Sequence, residues 1–582
     1  MTENIFNDRP RKNEKQESID YVKSLIEQAR TDARDSDIPK LEKLVQLLNS
    51  KKYGLVWEEH AEKVEEEMKT KIPVFVEDEI KKINDNPDSE DFNFLLEGDN
   101  LHSLHLLEKT HFGKIDVIYI DPPYNTGNKD FKYNDSFVDT EDTFRHSKWI
   151  SFMERRLKIA KTLLSEEGII FISIDDNEQS QLKMLMDEIF GEEKFIANIA
   201  VETSNGLFGV KAKHINKTIV KSKDYVLVYS NSPEMLKLNP IYTKSKKAFD
   251  THFTIYRDEQ VEMPLSNFIK ENSLFQKRSK QLNINNSIQN IGVLMDSFPD
   301  INSLVLSNAS NIYRMRDYTL KIPDEYIEQY ENGDKIKIDD FFIFKNKNGK
   351  PMYLYPFARL VKQTDDYISV KSSSVIVGDF WKGFNDDMGN VGKEGGVKLS
   401  NGKKPIRLIR NILKLANKKD ALVLDFFAGS GTTAHAVMDL NKKDGGNRKF
   451  ILATNDEVVE TTYQRMENIS SELSLNLKYF KTDFVIKEDF PNVSLEYELL
   501  KYITPLVELE FTIDISNPQV QIVLNEEQLE SLINNKQLIS NSTIFMHPDV
   551  FRDDKQNQVL QDLQIKVQEI PNYFFGTELW AK

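Results

Sequence analysis

The sequence predicts an α/β protein built on a mostly parallel sheet, with a separate module inserted between its two halves. Three observations carry that reading. Short β-rich runs alternate with helical spacing between residues 92 and 232, and the same alternation returns after residue 401. The stretch between them, 233–400, is rich in Asn, Ser, Lys and aromatics and shows no strong period. Strands that alternate with helices favour a parallel sheet covered on both faces.

Composition bounds the rest. At 582 residues the chain exceeds one ordinary domain. Hydrophobic residues make up 39% of it, with 35 Phe and 21 Tyr, which excludes global disorder. No apolar run is long enough to span a bilayer, and the polar start lacks the apolar middle of a secretory signal, so a cytoplasmic protein without membrane contact is expected. Cysteine is absent, which excludes disulfides, thiolate metal sites and cysteine nucleophiles.

Taken in order, residues 1–91 read as mostly helical: YVKSLIEQA and IPKLEKLVQLL carry helical apolar spacing, and HAEKVEEEMKTK suits a solvated helix face. Residues 92–232 hold the strand-like runs FNFLLEG, KIDVIYID, GIIFISID and YVLVYS, with an amphipathic helix near 148–164. Residues 401–484 supply a helix near 405–417, the strand ALVLD, a helix from about Thr432 and the strand KFILAT. In the tail, 485–582, the strand-like LEFTIDI and VQIVL and the helical EEQLESLINN suggest a small α+β domain.

The net charge is −16, unevenly spread. Residues 1–98 carry 16 basic against 24 acidic residues, and residues 485–582 carry 7 against 16. Residues 201–280 reverse the balance, 14 against 8, with clusters at Lys244, Lys246 and Lys247 and at Lys277, Arg278 and Lys280. Acidic ends are repelled by phosphate and suit protein contacts, although plain solvated faces look the same.

Two motifs carry chemistry. Asp121-Pro122-Pro123-Tyr124 directly follows the apolar run IDVIYI. Two prolines stiffen the backbone, so the Asp121 carboxylate and the Pro122 carbonyl form a fixed arc of acceptors beside the flat ring of Tyr124. That suits a planar molecule bearing an amino group; an Asp-Pro turn with a packed tyrosine is the plainer alternative. The second motif, Asp425-Phe426-Phe427-Ala428-Gly429-Ser430-Gly431, joins a strand to a helix. Its glycines let a ligand approach the backbone at a strand's carboxyl end. No Lys follows them, so this is not a triphosphate loop. Gly429-x-Gly431-x-x-Ala434 also satisfies a loose dinucleotide fingerprint, but Asp425 with Phe427 fits a nucleoside held edge-on better.

Together the motifs resemble the amino-group DNA methyltransferases that use S-adenosylmethionine, in the permuted β-class order with the catalytic motif first. The resemblance covers most of residues 92–484 and implies a Rossmann-like methyltransferase core. In it, Asp121, Pro122, Pro123 and Tyr124 hold the target amine, and Asp425, Phe427, Gly429 and Gly431 hold the cofactor. Asp99, in Glu97-Gly98-Asp99-Asn100-Leu101, stands where the family places a further cofactor contact. Lys404-Pro405 resembles the family's Lys-Pro cofactor signature, with Leu399 replacing the aromatic residue that normally precedes it. Of the acidic pair after KFILAT, Glu457 is favoured over Asp456 for the cofactor ribose. Tyr53–Glu59, Phe144–Trp149 and Ser173–Glu178 look like the modification subunit of Type III restriction–modification systems. That implies a homodimer acting on double-stranded DNA beside a restriction subunit with helicase and nuclease activities. It also implies target recognition by residues 233–400 and, from Asp at the first motif position, adenine N6 as the target. A stand-alone β-class methyltransferase and a catalytically idle DNA-specificity subunit are the alternatives.

Overall fold

The computed structural model describes residues 14–32, 34, 37–49, 57–87, 89, 91–204, 219–398, 403–455, 458–486 and 502–571. Residues 53–56 of the Tyr53–Glu59 run, Leu399, Asp456 and Glu457 lie outside the described residues.

The centre is an eleven-stranded sheet. Its main strands are β1 (Lys71–Glu77), β2 (Asn93–Glu97), β3 (Ile115–Ile120), β4 (Leu164–Ile174), β5 (Phe195–Glu202), β6 (Lys223–Ser230), β7 (Phe380–Trp381), β8 (Leu422–Asp425), β9 (Lys449–Thr454) and β10 (Asn476–Ile486). Their order is β1-β10-β2-β9-β8-β3-β4-β6-β5-β7, and the short Ile83–Asn84 segment also pairs with β10. The six strands from β10 to β4 run parallel. β6 is antiparallel to β4 and to β5. The central strands read as unbroken apolar runs because both faces are covered. Helices Asn100–Thr110, Arg145–Leu163 and Gln179–Phe190 bury Leu104, Met153 and Leu185 on one face. Ile406–Ala416, Thr432–Asp444 and Val459–Leu473 bury Ile412, Val437 and Met466 on the other.

This topology places a crevice. β8 and β3 are neighbours, paired Val423 to Val117 and Leu424 to Ile118. The chain leaves β8 for a helix on one face and leaves β3 for a helix on the opposite face. Between their carboxyl ends the connections diverge, which is where open α/β sheets bind ligands.

The inserted block is structured, although its sequence shows no period. It contains a six-stranded antiparallel sheet, with strands of three to six residues running from Ile255–Arg257 to Pro351–Pro356, and a three-stranded one around Lys371–Ile376. Its own core gathers Phe253, Phe275, Leu294 and Phe357. Strands this short leave too few alternations for a period-2 signal. The block also rejoins the central sheet before residue 400, since β7 pairs with β5.

Both flanks differ in part from expectation. Within the N-terminal region, Lys71–Glu77 is a strand at the sheet edge, where Pro73 costs no ladder bond. In the tail, LEFTIDI is not a strand: Ile503–Phe511 is a helix whose Ile503, Leu506, Val507 and Leu509 are buried, so packing overrides the β propensity of the run. Val520–Val523, Thr543–Met546 and Lys566–Glu569 are mutually parallel with helices between them, an α/β layer rather than α+β. Lys478 on β10, fully buried, pairs with Glu508 and lies 2.9 Å from both Glu77 and Asp514. Part of the tail's acidity is thus used inside the molecule. Among the described residues no helix is long and apolar enough to cross a membrane.

Candidate active site

Two aspartates stand at the crevice. Asp425 ends β8 and is 2% exposed. One carboxylate oxygen accepts from the Phe427 N–H at 3.0 Å and the other from the Thr433 hydroxyl. Burial pushes its carboxyl up to about 7. The loop that wraps it turns on two glycines in the left-handed region, Gly429 (φ 52°) and Gly431 (φ 72°). A Cβ on Gly431 would lie 2.9 Å from Met466 Cε and 3.1 Å from Thr462 Cγ2, so the close approach of helix 459–473 requires glycine there. A Cβ on Gly429 would meet only the Phe427 carbonyl at 3.7 Å, which leaves the loop's outer side open to a ligand. Arg465, fully buried, holds the loop from behind, donating to Thr432 Oγ1 at 2.8 Å and to Ser430 Oγ at 3.2 Å. Burial draws its pKa down to about 10.

Asp99 joins the same edge. It caps helix Asn100–Thr110 by accepting from Leu101 N–H at 2.8 Å, and Arg156 reaches the same oxygen at 3.2 Å. The Asn100 side chain donates to the Phe426 carbonyl at 2.7 Å, tying the end of β2 to the glycine loop. Phe427 is half-buried, its ring 5.9 Å from that of Phe152. A glycine loop with an open outer side, flanked by a carboxylate and an aromatic ring, fits a nucleoside-bearing cofactor.

Asp121 follows β3 and faces outward. Both its oxygens lie 2.8 Å from Lys404 Nζ, which also sits 4.8 Å from the Tyr124 ring centroid. Lys404 is therefore placed on the Asp121–Tyr124 motif, with Pro405 at the N-cap of helix Ile406–Ala416 beside it. Trp149 Nε1 donates to the Pro123 carbonyl at 2.7 Å and fixes the proline turn. The Pro122 carbonyl takes no hydrogen bond among the described residues and is free to accept one. Tyr124 is half-buried, and burial raises its hydroxyl well above the usual phenol range.

Behind Tyr124 lies a network that sequence reasoning did not identify. Asn125, at φ 56°, donates to Glu178 Oε1 at 2.6 Å and to the Arg145 carbonyl at 3.1 Å. Glu178 is fully buried, which pushes its carboxyl up to about 8, and His146 Nδ1 lies 2.7 Å from the same oxygen. Asp224, raised by burial, faces Lys404, Lys221, Asp175 and Asp121. Glu178 and His146 fall in runs noted for their resemblance, but their meeting depends on contacts 32 and 53 residues apart. Arg465 carried no sequence signal, and Trp149 stood only at the end of a run noted for its resemblance, with nothing to show that it holds the proline turn. Among the described residues no group of three or more His, Asp or Glu could hold a metal ion. In the inserted block, Arg278 pairs with Asp300 and Lys244 with Asp296, whereas Lys246, Lys247, Lys277 and Lys280 are exposed.

The geometry thus brings Asp121–Tyr124, Asp425–Gly431 and Asp99 to one edge of the sheet. A family model described as DNA methylase matches residues 115–290 and 265–464, taking in both motifs. The probable Type III restriction–modification enzyme HindVI Mod subunit of Haemophilus influenzae is 32% identical over 392 residues, 63% of this chain and 49% of its own. The Type III restriction–modification enzyme EcoPI Mod subunit of Escherichia phage P1 is 32% identical over 64% of this chain and 58% of its own. The Type II methyltransferase M.KpnI of Klebsiella pneumoniae is 32% identical over 63% of this chain and 81% of its own. The chain spans about half the length of the first of these relatives and somewhat more of the second.

Proposed function

The chain belongs to the DNA methylase family, and we propose that it is the modification and specificity subunit of a Type III restriction–modification system. In this reading it methylates adenine N6 at a specific site in double-stranded DNA, with S-adenosylmethionine as donor. The carrying observation is the side-by-side placement of Asp121–Tyr124 and Asp425–Gly431 at the carboxyl ends of adjacent strands. Likeness to two Mod subunits supports the Type III assignment. So do the flanking elements, helices Glu14–Thr31 and Ile38–Asn49 and the layer 520–569, which lie outside the matched methylase region.

The adenine amine is a poor nucleophile because its lone pair is delocalised into the ring. Asp121 and the Pro122 carbonyl would accept its two N–H groups, draw the nitrogen toward tetrahedral geometry and localise that pair. Asp121 is also placed to take the proton the methylated amine must lose. The contribution is positioning and electrostatics. The amine is inaccessible inside a duplex, so the base is flipped out at a cost of a few kcal/mol. Stacking on Tyr124 returns about 1–3 kcal/mol. When bound, S-adenosylmethionine supplies an electrophilic methyl on a sulfonium with a thioether leaving group. Asp425, Phe427, Gly429, Gly431 and Asp99 would hold it, with Glu457 as the proposed ribose partner.

Transfer of labelled methyl from S-adenosylmethionine to duplex DNA, recovered as N6-methyladenine, tests the reading; label on cytosine, or none, contradicts it. Exchanging residues 233–400 for a relative's block is expected to change the methylated site while preserving activity. A chimera that still methylates the original site would remove target recognition from that block. Light scattering is expected to give twice the mass of one chain, and a restriction partner to co-purify when co-expressed.

A further inference from the structure

We propose that Lys404 is a positioning residue for methyl transfer, acting through Asp121 and Tyr124, rather than a contact to the cofactor. This rests on the functional reading above. Its ammonium lies 2.8 Å from each Asp121 oxygen, and the two side chains are only 12% and 16% exposed. Equal contact with both oxygens fixes the rotation of the carboxylate. A carboxylate offers about four lone-pair sites, so acceptors remain for the target amine in a set direction. The same ammonium sits 4.8 Å from the Tyr124 ring centroid, so a single group orients both the acceptor and the stacking ring.

The surroundings show why a cation is needed there. Asp121 is electrostatically linked to two other carboxyls, buried Asp425 and half-buried Asp224, and both are raised by desolvation. The Lys404 ammonium, paired with Asp121, offsets that like-charge repulsion and also lowers Asp224. Lys404 is itself held by its neighbours. Lys403 donates to the Glu394 and Val397 carbonyls at 2.6 and 2.9 Å, and the Ile406 N–H donates to Glu394 Oε2 at 3.0 Å. The turn opening helix Ile406–Ala416 is therefore pinned, and adjacent lysines divide into one that anchors backbone and one that reaches the motif. The glycine loop is braced by Arg465 and Thr462 instead, and none of the Lys404 hydrogen bonds reaches it.

Lys404→Met, Lys404→Gln and Lys404→Arg are compared with the wild type by single-turnover methylation of duplex DNA and by equilibrium binding of S-adenosylmethionine. Losing one preorganised electrostatic partner costs roughly 10²–10³ in rate. Lys404→Met and Lys404→Gln are expected to fall by about 10²-fold at saturating cofactor while cofactor affinity stays within about twofold. Lys404→Arg keeps the cation and is expected to recover at least about tenfold of that loss. Weakened cofactor binding with the rate restored at saturation would make Lys404 a cofactor contact and overturn the proposal. Wild-type rates in Lys404→Met would do the same. A wild-type protein that methylates no DNA would instead remove the functional reading, and this inference with it.

Discussion

Asp121 and Asp425 are the same residue at equivalent places, the carboxyl ends of adjacent parallel strands, yet they are built for different work. Asp425 is 2% exposed, faces no cation among the described residues, and gives both oxygens to its own loop, the Phe427 N–H and the Thr433 hydroxyl. Burial pushes its carboxyl up to about 7. Asp121 keeps its oxygens on the crevice side, where both lie 2.8 Å from the Lys404 ammonium. One carboxyl shapes a loop and the other presents acceptors. In the proposed function, environment and not residue type would divide cofactor binding from chemistry.

Variants at the two positions should separate that division. Asp121→Ala is expected to lower single-turnover methylation by about 10²–10³-fold, the range for losing one preorganised partner, with cofactor affinity nearly unchanged. Asp425→Ala should show the opposite split. It strands two buried donors at about 1–3 kcal/mol, so cofactor affinity is expected to drop roughly tenfold or more while the rate at saturating cofactor largely survives. Loss of rate without loss of affinity in Asp425→Ala would break the comparison. Tyr124→Ala removes the stacking ring and is expected to weaken capture of the flipped base roughly tenfold, whereas Tyr124→Phe keeps most activity. Equal impairment of both Tyr124 variants would point to the hydroxyl and to different chemistry.

The smallest effect concerns stability. Glu178 is raised by burial from 4.5 to about 8, so the folded protein keeps a proton that the unfolded chain releases. Its contribution is full below about pH 4.5 and falls as pH rises toward 8. Asp425 acts in the same sense over a lower range. Glu178→Gln, which cannot ionise, is expected to flatten part of the decline in urea-unfolding stability between pH 5.5 and 8, on the order of 2 kcal/mol. An unchanged slope would show that Glu178 is not neutral in the folded protein.

Much of this was legible in the sequence, and the limits have physical causes. IDVIYI and ALVLD announce central strands because both faces are covered, and the motifs follow them directly. Strand order was not readable, because β8 and β3 pair across about three hundred residues. Lys404 illustrates the same limit: a Lys-Pro signature marks it as important, but only the fold shows that Asp121, 283 residues away, is its partner. The tail run LEFTIDI, residues 509–515, was read as a strand for its β propensity, but its first three residues end helix Ile503–Phe511, whose burial against the core decides otherwise. The inserted block looked irregular because its strands are too short to show a period.

The central claim is that methyl transfer happens at Asp121, beside a cofactor held by the neighbouring loop. The most direct test is to measure wild-type and Asp121→Ala proteins together, by S-adenosylmethionine binding and by single-turnover formation of N6-methyladenine in duplex DNA. The account expects equal cofactor affinity and a rate lower by about 10²–10³-fold in the variant. An Asp121→Ala protein that methylates adenine at the wild-type rate would contradict it.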